Sequence, residues 1–242
     1  MMMRLRSSLF SLGYAGLTFI VAVVVMAVFW ALPPQTRSWF YGLWCRLVVG
    51  LATLTCGIRY EVEGEENVPD DQPVVVISNH QSTWETIFLY QLFAPVVPIL
   101  KKELLRIPFW GWALRLQKPI AIDRSRPREA MKSLLKQGQE RIASGMSVLV
   151  FPEGTRSRPG HIGRFSRGGA QLAASSEAGV VPVIHDAGKC WPAGSMLKKP
   201  GTVRVIIGPA IPSAGRSARE IAAECDEWFD KHLSELGLKH SK

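Results

Sequence analysis

The stretch VVVISNHQSTWE, residues 74–85, joins two different kinds of sequence. Its first half is a short, unbroken apolar run, the pattern of a strand covered on both faces. Such a strand needs helices above and below it, which favours an α/β domain. Its second half sets an imidazole, His80, and a carboxylate, Glu85, where that strand emerges. Catalytic groups on α/β scaffolds are held at such strand ends. A histidine takes a proton near neutral pH, and a nearby carboxylate can fix its tautomer and stabilise the imidazolium.

Working outward, six more segments read as strands: 59–62, 97–100, 119–122, 148–151, 180–184 and 203–207. Helical patterns lie between them. Residues 127–144 open on Pro127, stop before Gly145 and place Met131, Leu134, Leu135 and Ile142 on one face. The last helix starts with a capping box, Ser217 and Glu220, and puts Ile221, Cys225, Trp228, Phe229 and Leu233 on one side. The expectation is a two-layer or three-layer α/β domain over residues 58–242, with no internal repeat.

Residues 1–57 differ in kind. No charge occurs between Ser7 and Thr36, and about ten of residues 17–32 are Leu, Ile, Val or Phe. Each is worth about −0.3 to −0.6 kcal/mol at mid-bilayer, very roughly −3 to −6 in sum. The stretch is long for a signal-peptide core, and Pro33-Pro34 makes a poor cleavage site. A second apolar segment, 38–58, carries Arg46 and opens on Trp39, Phe40, Tyr41 and Trp44, aromatics that favour the headgroup level. The two are expected to form a membrane-embedded helical pair, broken between them by Pro33 and Pro34. Pairs that span the bilayer and pairs that dip in and return both fit.

The chain has 242 residues and a net charge of +9, so its partners are expected to be anionic. With an apolar N-terminus and no nucleic-acid-binding motif, the balance favours a phospholipid bilayer over nucleic acid. Cys45, Cys56, Cys190 and Cys225 are widely spaced and suit neither zinc nor redox chemistry. They read as small buried hydrophobes. Trp191, near Lys198 and Lys199, suits either the bilayer surface or a packed loop.

A second cluster, Phe151-Pro152-Glu153-Gly154-Thr155-Arg156-Ser157, follows another apolar run. No G-x-S-x-G elbow exists, and no cysteine lies near His80, so a nucleophilic triad is not supported. H-E-x-x-H is also absent, which leaves no metal site. General-base attack on a hydroxyl is the chemistry left.

These blocks resemble the 1-acylglycerol-3-phosphate acyltransferases, or lysophosphatidic acid acyltransferases. Asn79, His80 and Glu85 match the first block of that family, and Lys101-Lys102-Glu103-Leu104 through Pro108-Phe109-Trp110-Gly111 to Ile122-Asp123-Arg124 match the second. The third matches without change at 151–157, and the fourth at Val181-Pro182-Val183. One departure is Glu85, where the family usually has Asp. The resemblance implies a mixed, largely buried central sheet flanked by helices, the glycerolphosphate acyltransferase fold. It implies that His80, supported by Glu85, takes the proton from the sn-2 hydroxyl of a lysophosphatidate, which attacks an acyl thioester without an acyl-enzyme. Arg156 is expected to grip the phosphate, with Gly154 admitting a close oxyanion, Thr155 adding a hydroxyl and Glu153 orienting Arg156 or the glycerol. Arg124 and Lys102 are expected as further phosphate ligands. The resemblance brings no cofactor or metal; the acyl donor is acyl-CoA or acyl carrier protein. The expected location is the inner membrane, with the catalytic part facing the cytoplasm. Another lyso-lipid acceptor, such as lyso-ornithine lipid, and a non-catalytic lipid-binding role are the competing readings.

Overall fold

The structure, a computed structural model, describes residues 1–241. Two long helices lead, α1 (Met2–Val28) and α2 (Pro34–Cys56). There follow β1 (Ile58–Glu63), β2 (Val75–Ser78), α3 (Trp84–Leu92), β3 (Val96–Lys101), α4 (Trp110–Arg115), β4 (Ile120–Ile122), α5 (Pro127–Ala143) and β5 (Ser147–Val150). The remainder is β6 (His161–Ile162), α6 (Gly168–Ser176), β7 (Val180–His185), β8 (Gly201–Ile207), α7 (Ala218–Leu233) and β9 (Lys239–His240).

Seven strands form one sheet in the order β1-β8-β7-β2-β5-β3-β4. Only β7 and β8 run antiparallel, so the sheet is mixed. All seven strands read from the sequence are present, within two residues at each end. The small parallel pair β6–β9 was not expected. Strand alternation sorts the core into two sides. Val76, Leu149, Val181, Val183, Val203 and Val205 face α1, α2 and α3. Val75, Ile77, Val148, Val150, Val180 and Ile184 face α5, α6 and α7. The domain therefore has three layers, which explains the unbroken apolar strands. Each such side chain, fully buried, is worth about 1.5–3 kcal/mol.

Helix ends follow their residues. Pro127 sits in the first turn of α5, where its missing N–H costs nothing, and Gly145 lies just beyond the end at φ 78°. The Ser217 hydroxyl accepts the Glu220 N–H at 3.3 Å, and the Glu220 carboxylate accepts the Ser217 N–H at 2.9 Å, which closes the capping box of α7. Helix α2 begins earlier than the expected residue 38, because Pro33 caps it and Pro34 is tolerated at the first helical position. The four cysteines are free and buried.

The helical pair is fastened to the catalytic body at both ends. At one end the Ser7 hydroxyl accepts the Lys198 N–H at 3.0 Å, and α2 runs directly into β1. At the other, Arg37 donates to the Leu116 carbonyl at 2.8 Å and Gln117 donates back to the Arg37 carbonyl at 3.0 Å. The Tyr41 hydroxyl donates to the Ala113 carbonyl nearby. The outer sides carry exposed Leu12, Ile20, Val24, Trp30, Trp39 and Leu54. Both helices are long and apolar enough to cross a membrane. An exposed apolar face of this extent suits lipid contact. Trp191 does not reach that face. It is buried edge-on against Phe10 at 4.9 Å, with the Lys198 ammonium 5.2 Å from its ring.

Candidate active site

Strand β2 ends at Ser78 and α3 begins at Trp84, so residues 79–83 turn tightly enough to bring Glu85 back over His80. The His80 Nδ1 lies 2.8 Å from Glu85 Oε1. The same oxygen accepts the Gln81 N–H at 3.1 Å and the Ser82 N–H at 2.8 Å. A carboxylate can only accept, which puts the ring proton on Nδ1 and leaves Nε2 as the free nitrogen. Glu85 is fully buried. Burial pushes its carboxyl up, but the His185 and His80 imidazoles and the Ser82 amide outweigh this, and the pKa falls below its ordinary value. On its other side the His80 ring stacks on Phe151, centroids 4.1 Å apart and planes 18° apart. The extra methylene of Glu85 does not prevent the contact with His80.

Behind this loop lies a clamp with no signal in the sequence. Asn79 Nδ2 donates to the His185 carbonyl at 2.9 Å, and the His185 N–H donates to Asn79 Oδ1 at 3.0 Å. The His185 ring Nε2 lies 2.8 Å from the Asn79 carbonyl, which fixes Nε2 as the protonated nitrogen. Both residues are wholly buried, and burial lowers the His185 pKa below 6.5. The ends of β2 and β7 are thereby locked together through Asn79 and His185.

The 151–157 segment packs on the same loop. Glu153 does not orient Arg156, contrary to expectation. Its Oε1 accepts the His80 N–H at 2.6 Å, and its Oε2 accepts the Gly163 N–H at 2.6 Å and the Ser157 hydroxyl. The Ser157 N–H donates to the His80 carbonyl at 2.7 Å. These two amides and a hydroxyl, rather than a guanidinium, occupy the Glu153 carboxylate. Gly154 takes φ +69°, a conformation that favours glycine, and its carbonyl accepts from the Arg124 guanidinium.

One cavity of about 490 Å³ gathers most of the expected residues. His80, Arg124, Gly154, Thr155 and Arg156 all line it, with Arg124, Thr155 and Arg156 exposed at the surface. Glu85 stands behind His80, outside the lining. Lys102 is elsewhere. It lines a separate groove, and Lys101 lines the His80 cavity instead. The reason is the exit of β3: consecutive residues at a strand end face opposite ways. Part of the apolar wall comes from the N-terminal helices, including Val21, Val25, Tyr41 and Trp44, and the rest from residues such as Ile87, Leu100 and Leu114. Sequence reading treated those helices as a membrane element alone. Their packing against the catalytic body shows them to be cavity walls as well.

The arrangement can therefore present an imidazole with Nε2 free of the carboxylate, with cations nearby and apolar walls beside it. Residues 59–186 match the family model described as acyltransferase. The chain is 44% identical to a 1-acyl-sn-glycerol-3-phosphate acyltransferase of Pseudomonas aeruginosa over 96% of its own length and 91% of the relative's. It is 34% identical to a chloroplastic 1-acyl-sn-glycerol-3-phosphate acyltransferase of Brassica napus over 97% of its length and 68% of the relative's. Among solved structures, the 1-acyl-sn-glycerophosphate (LPA) acyltransferase PlsC from Thermotoga maritima shares the fold, with a TM-score of 0.81 at 23% identity over 98% of this chain and 97% of that one. By its sequence blocks and these likenesses, the chain belongs to the acyltransferase family and, within it, to the 1-acyl-sn-glycerol-3-phosphate acyltransferases.

Proposed function

We propose that this protein transfers an acyl group from an acyl thioester, acyl-CoA or acyl carrier protein, to the sn-2 hydroxyl of 1-acylglycerol-3-phosphate, giving phosphatidic acid for phospholipid synthesis. The observation that carries the reading is one cavity joining the free Nε2 side of His80 to Arg124 and Arg156. His80 Nε2 accepts the hydroxyl proton as the alcohol oxygen attacks the thioester carbonyl carbon. The carbon–sulfur bond then breaks, and the thiolate leaves and takes up a proton. Glu85 holds the imidazole and balances the imidazolium charge. A positioned base of this kind supplies about 10²–10⁴ in rate. The rest comes from holding two amphiphiles in line.

Arg156 and Arg124, with Lys101 beside them, are the cations assigned to the acceptor phosphate. Thr155 adds a hydroxyl. Arginine suits this role because its fork can make two parallel hydrogen bonds to a phosphate. The apolar walls from α1 and α2 suit the acyl chains. We place the protein at the inner membrane with its catalytic part on the cytoplasmic side, where water-soluble thioesters are made. The test is to incubate purified protein and a labelled acyl-CoA or acyl carrier protein with lysophosphatidate or, in parallel, lyso-ornithine lipid, and resolve the products. Labelled phosphatidate is the expected product. Labelled ornithine lipid alone would overturn the acceptor assignment.

A further inference from the structure

Along one segment, neighbouring residues face two different hollows. Lys101, Leu104, Leu114 and Arg124 line the His80 cavity. Lys102, Leu105, Arg115 and Asp123 line a second groove of about 550 Å³. The chain from the end of β3 through α4 to the end of β4 is thus a partition between them. The far wall of the second groove is α5, which contributes Ser133 and Gln137.

That groove is strongly cationic. Lys102, Arg106, Arg115, Lys118, Arg126 and Arg141 line it, against Asp123 and Glu129. Arg126 is held by Glu129 at 3.2 Å. Among the described residues, Lys102, Arg106, Arg115 and Lys118 form no ion pair. Unneutralised positive charge converging in a hollow attracts an anion carrying several charges. The acceptor's single phosphate already has cations in the other cavity. A flat headgroup layer would not need a hollow with two facing walls.

We infer that this groove binds the phosphorylated nucleotide end of a coenzyme A thioester, while its pantetheine arm crosses the partition and presents the thioester to His80. The inference rests on the acyl-transfer reading above. A coenzyme A donor carries its negative charge at the end remote from the reacting carbon, joined by a flexible arm. Two hollows sharing one wall fit that division. Binding at the remote end can then be used to position the reacting end.

The test uses the full chain in nanodiscs of neutral lipid, as the parent, as a Lys102→Gln/Arg106→Gln double variant and as Arg126→Gln from the opposite wall. All three side chains are exposed, so the fold should survive. Free coenzyme A should bind the variants about tenfold or more weakly by calorimetry, the scale of losing charge-assisted contacts. The KM for acyl-CoA should rise about as much, while KM for S-acyl-pantetheine and for lysophosphatidate stays within about twofold. Unchanged coenzyme A binding would overturn the proposal. So would a loss confined to acyl carrier protein as donor, which would assign the groove to an acidic protein. A loss confined to binding of phosphatidylglycerol vesicles would assign it to the membrane and also overturn the proposal. If the parent makes phosphatidate but does not bind coenzyme A, the groove assignment fails alone. If coenzyme A binding weakens in the variants but the parent acylates no lysophosphatidate, the acyl-transfer reading fails and the groove assignment stands.

Discussion

The two sides of the His80 cavity are built in opposite ways. On the base side, one Glu85 oxygen takes three hydrogen bonds, Glu153 ties down the His80 amide, and Asn79 and His185 lock the strand ends behind them. These groups are largely buried and bonded to one another, although Glu85 Oε2 is buried without a partner among the described residues. On the other side, Thr155, Arg124 and Arg156 are exposed, and among the described residues only Arg124 has a hydrogen-bond partner, the Gly154 carbonyl. A proton transfer needs fixed geometry, because a displacement of about 1 Å costs up to about 10²-fold. A charged headgroup arriving from a membrane needs reach instead. Under the proposed function, the difference teaches that rigidity is placed at the bond-making end and latitude at the gripping end.

The sharpest way to break this contrast is to remove the base. His80→Ala should lower turnover by about 10²–10⁴ while leaving the fold and lipid association intact. Single-turnover acylation measures this, and near-normal turnover would refute the assignment. Glu85→Gln keeps the shape but removes the charge, and should cost kcat up to about 10⁴-fold with little change in KM. Glu85→Asp, the residue usual in the resembling family, should recover part of that loss. Near-normal turnover in Gln with a loss in Asp would show that side-chain length, not charge, is what matters.

Arg156→Ala should act on the other side alone. Losing a charge-assisted hydrogen bond costs about 1.5–3 kcal/mol, which predicts a roughly tenfold to hundredfold rise in KM for the phosphorylated acceptor. An unchanged KM would remove Arg156 from the headgroup site. Glu153→Gln should give a smaller effect. An amide has one oxygen to accept with where the carboxylate uses two, so a loss of about 1–3 kcal/mol in unfolding free energy is expected. Because it positions His80, kcat should fall while KM for the acceptor holds. A parallel rise in that KM would mean that Glu153 contacts the headgroup after all.

The smallest effect concerns acid. His185 is buried with its pKa below 6.5, so the unfolded chain binds a proton there more readily than the folded one. Its contribution to stability is therefore complete above about pH 6.5 and drains as pH falls toward the lower folded value. The Glu85 carboxyl, lowered in the fold, adds a further loss below its ordinary 4.5. Denaturation midpoints followed from pH 7 to 4 should fall, and His185→Gln should flatten the upper part of the curve. A flat parent curve would count against a neutral buried ring.

Legibility in the sequence followed the range of the interactions involved. The central strands β2, β5 and β7 were readable because each is apolar on both faces, and α5 and α7 because their caps are local; the edge strand β1, with Arg59, Glu61 and Glu63, is mostly exposed. The pair β6–β9 was not, since two residues carry no periodicity and one partner lies near the middle of the α/β domain and the other at its end. His80 and Glu85 could be found from a strand end and a short turn. Lys101 could not be told from Lys102 without knowing how β3 leaves the sheet. The bonds that Glu153 makes in place of one to Arg156 could not be read, because its partners are chosen by tertiary packing, with His80 73 residues away. The Asn79–His185 clamp spans 106 residues and leaves no local trace.

The fastening of the helical pair at Ser7 and again at Arg37 has a consequence for how the protein sits in detergent. With both ends of the hairpin tied down, one flank of each helix is already occupied by protein, and only the outward flank is free for amphiphiles. Solubilising molecules should collect as an off-centre cap on one side of the particle, where a bilayer-crossing bundle would wear a ring.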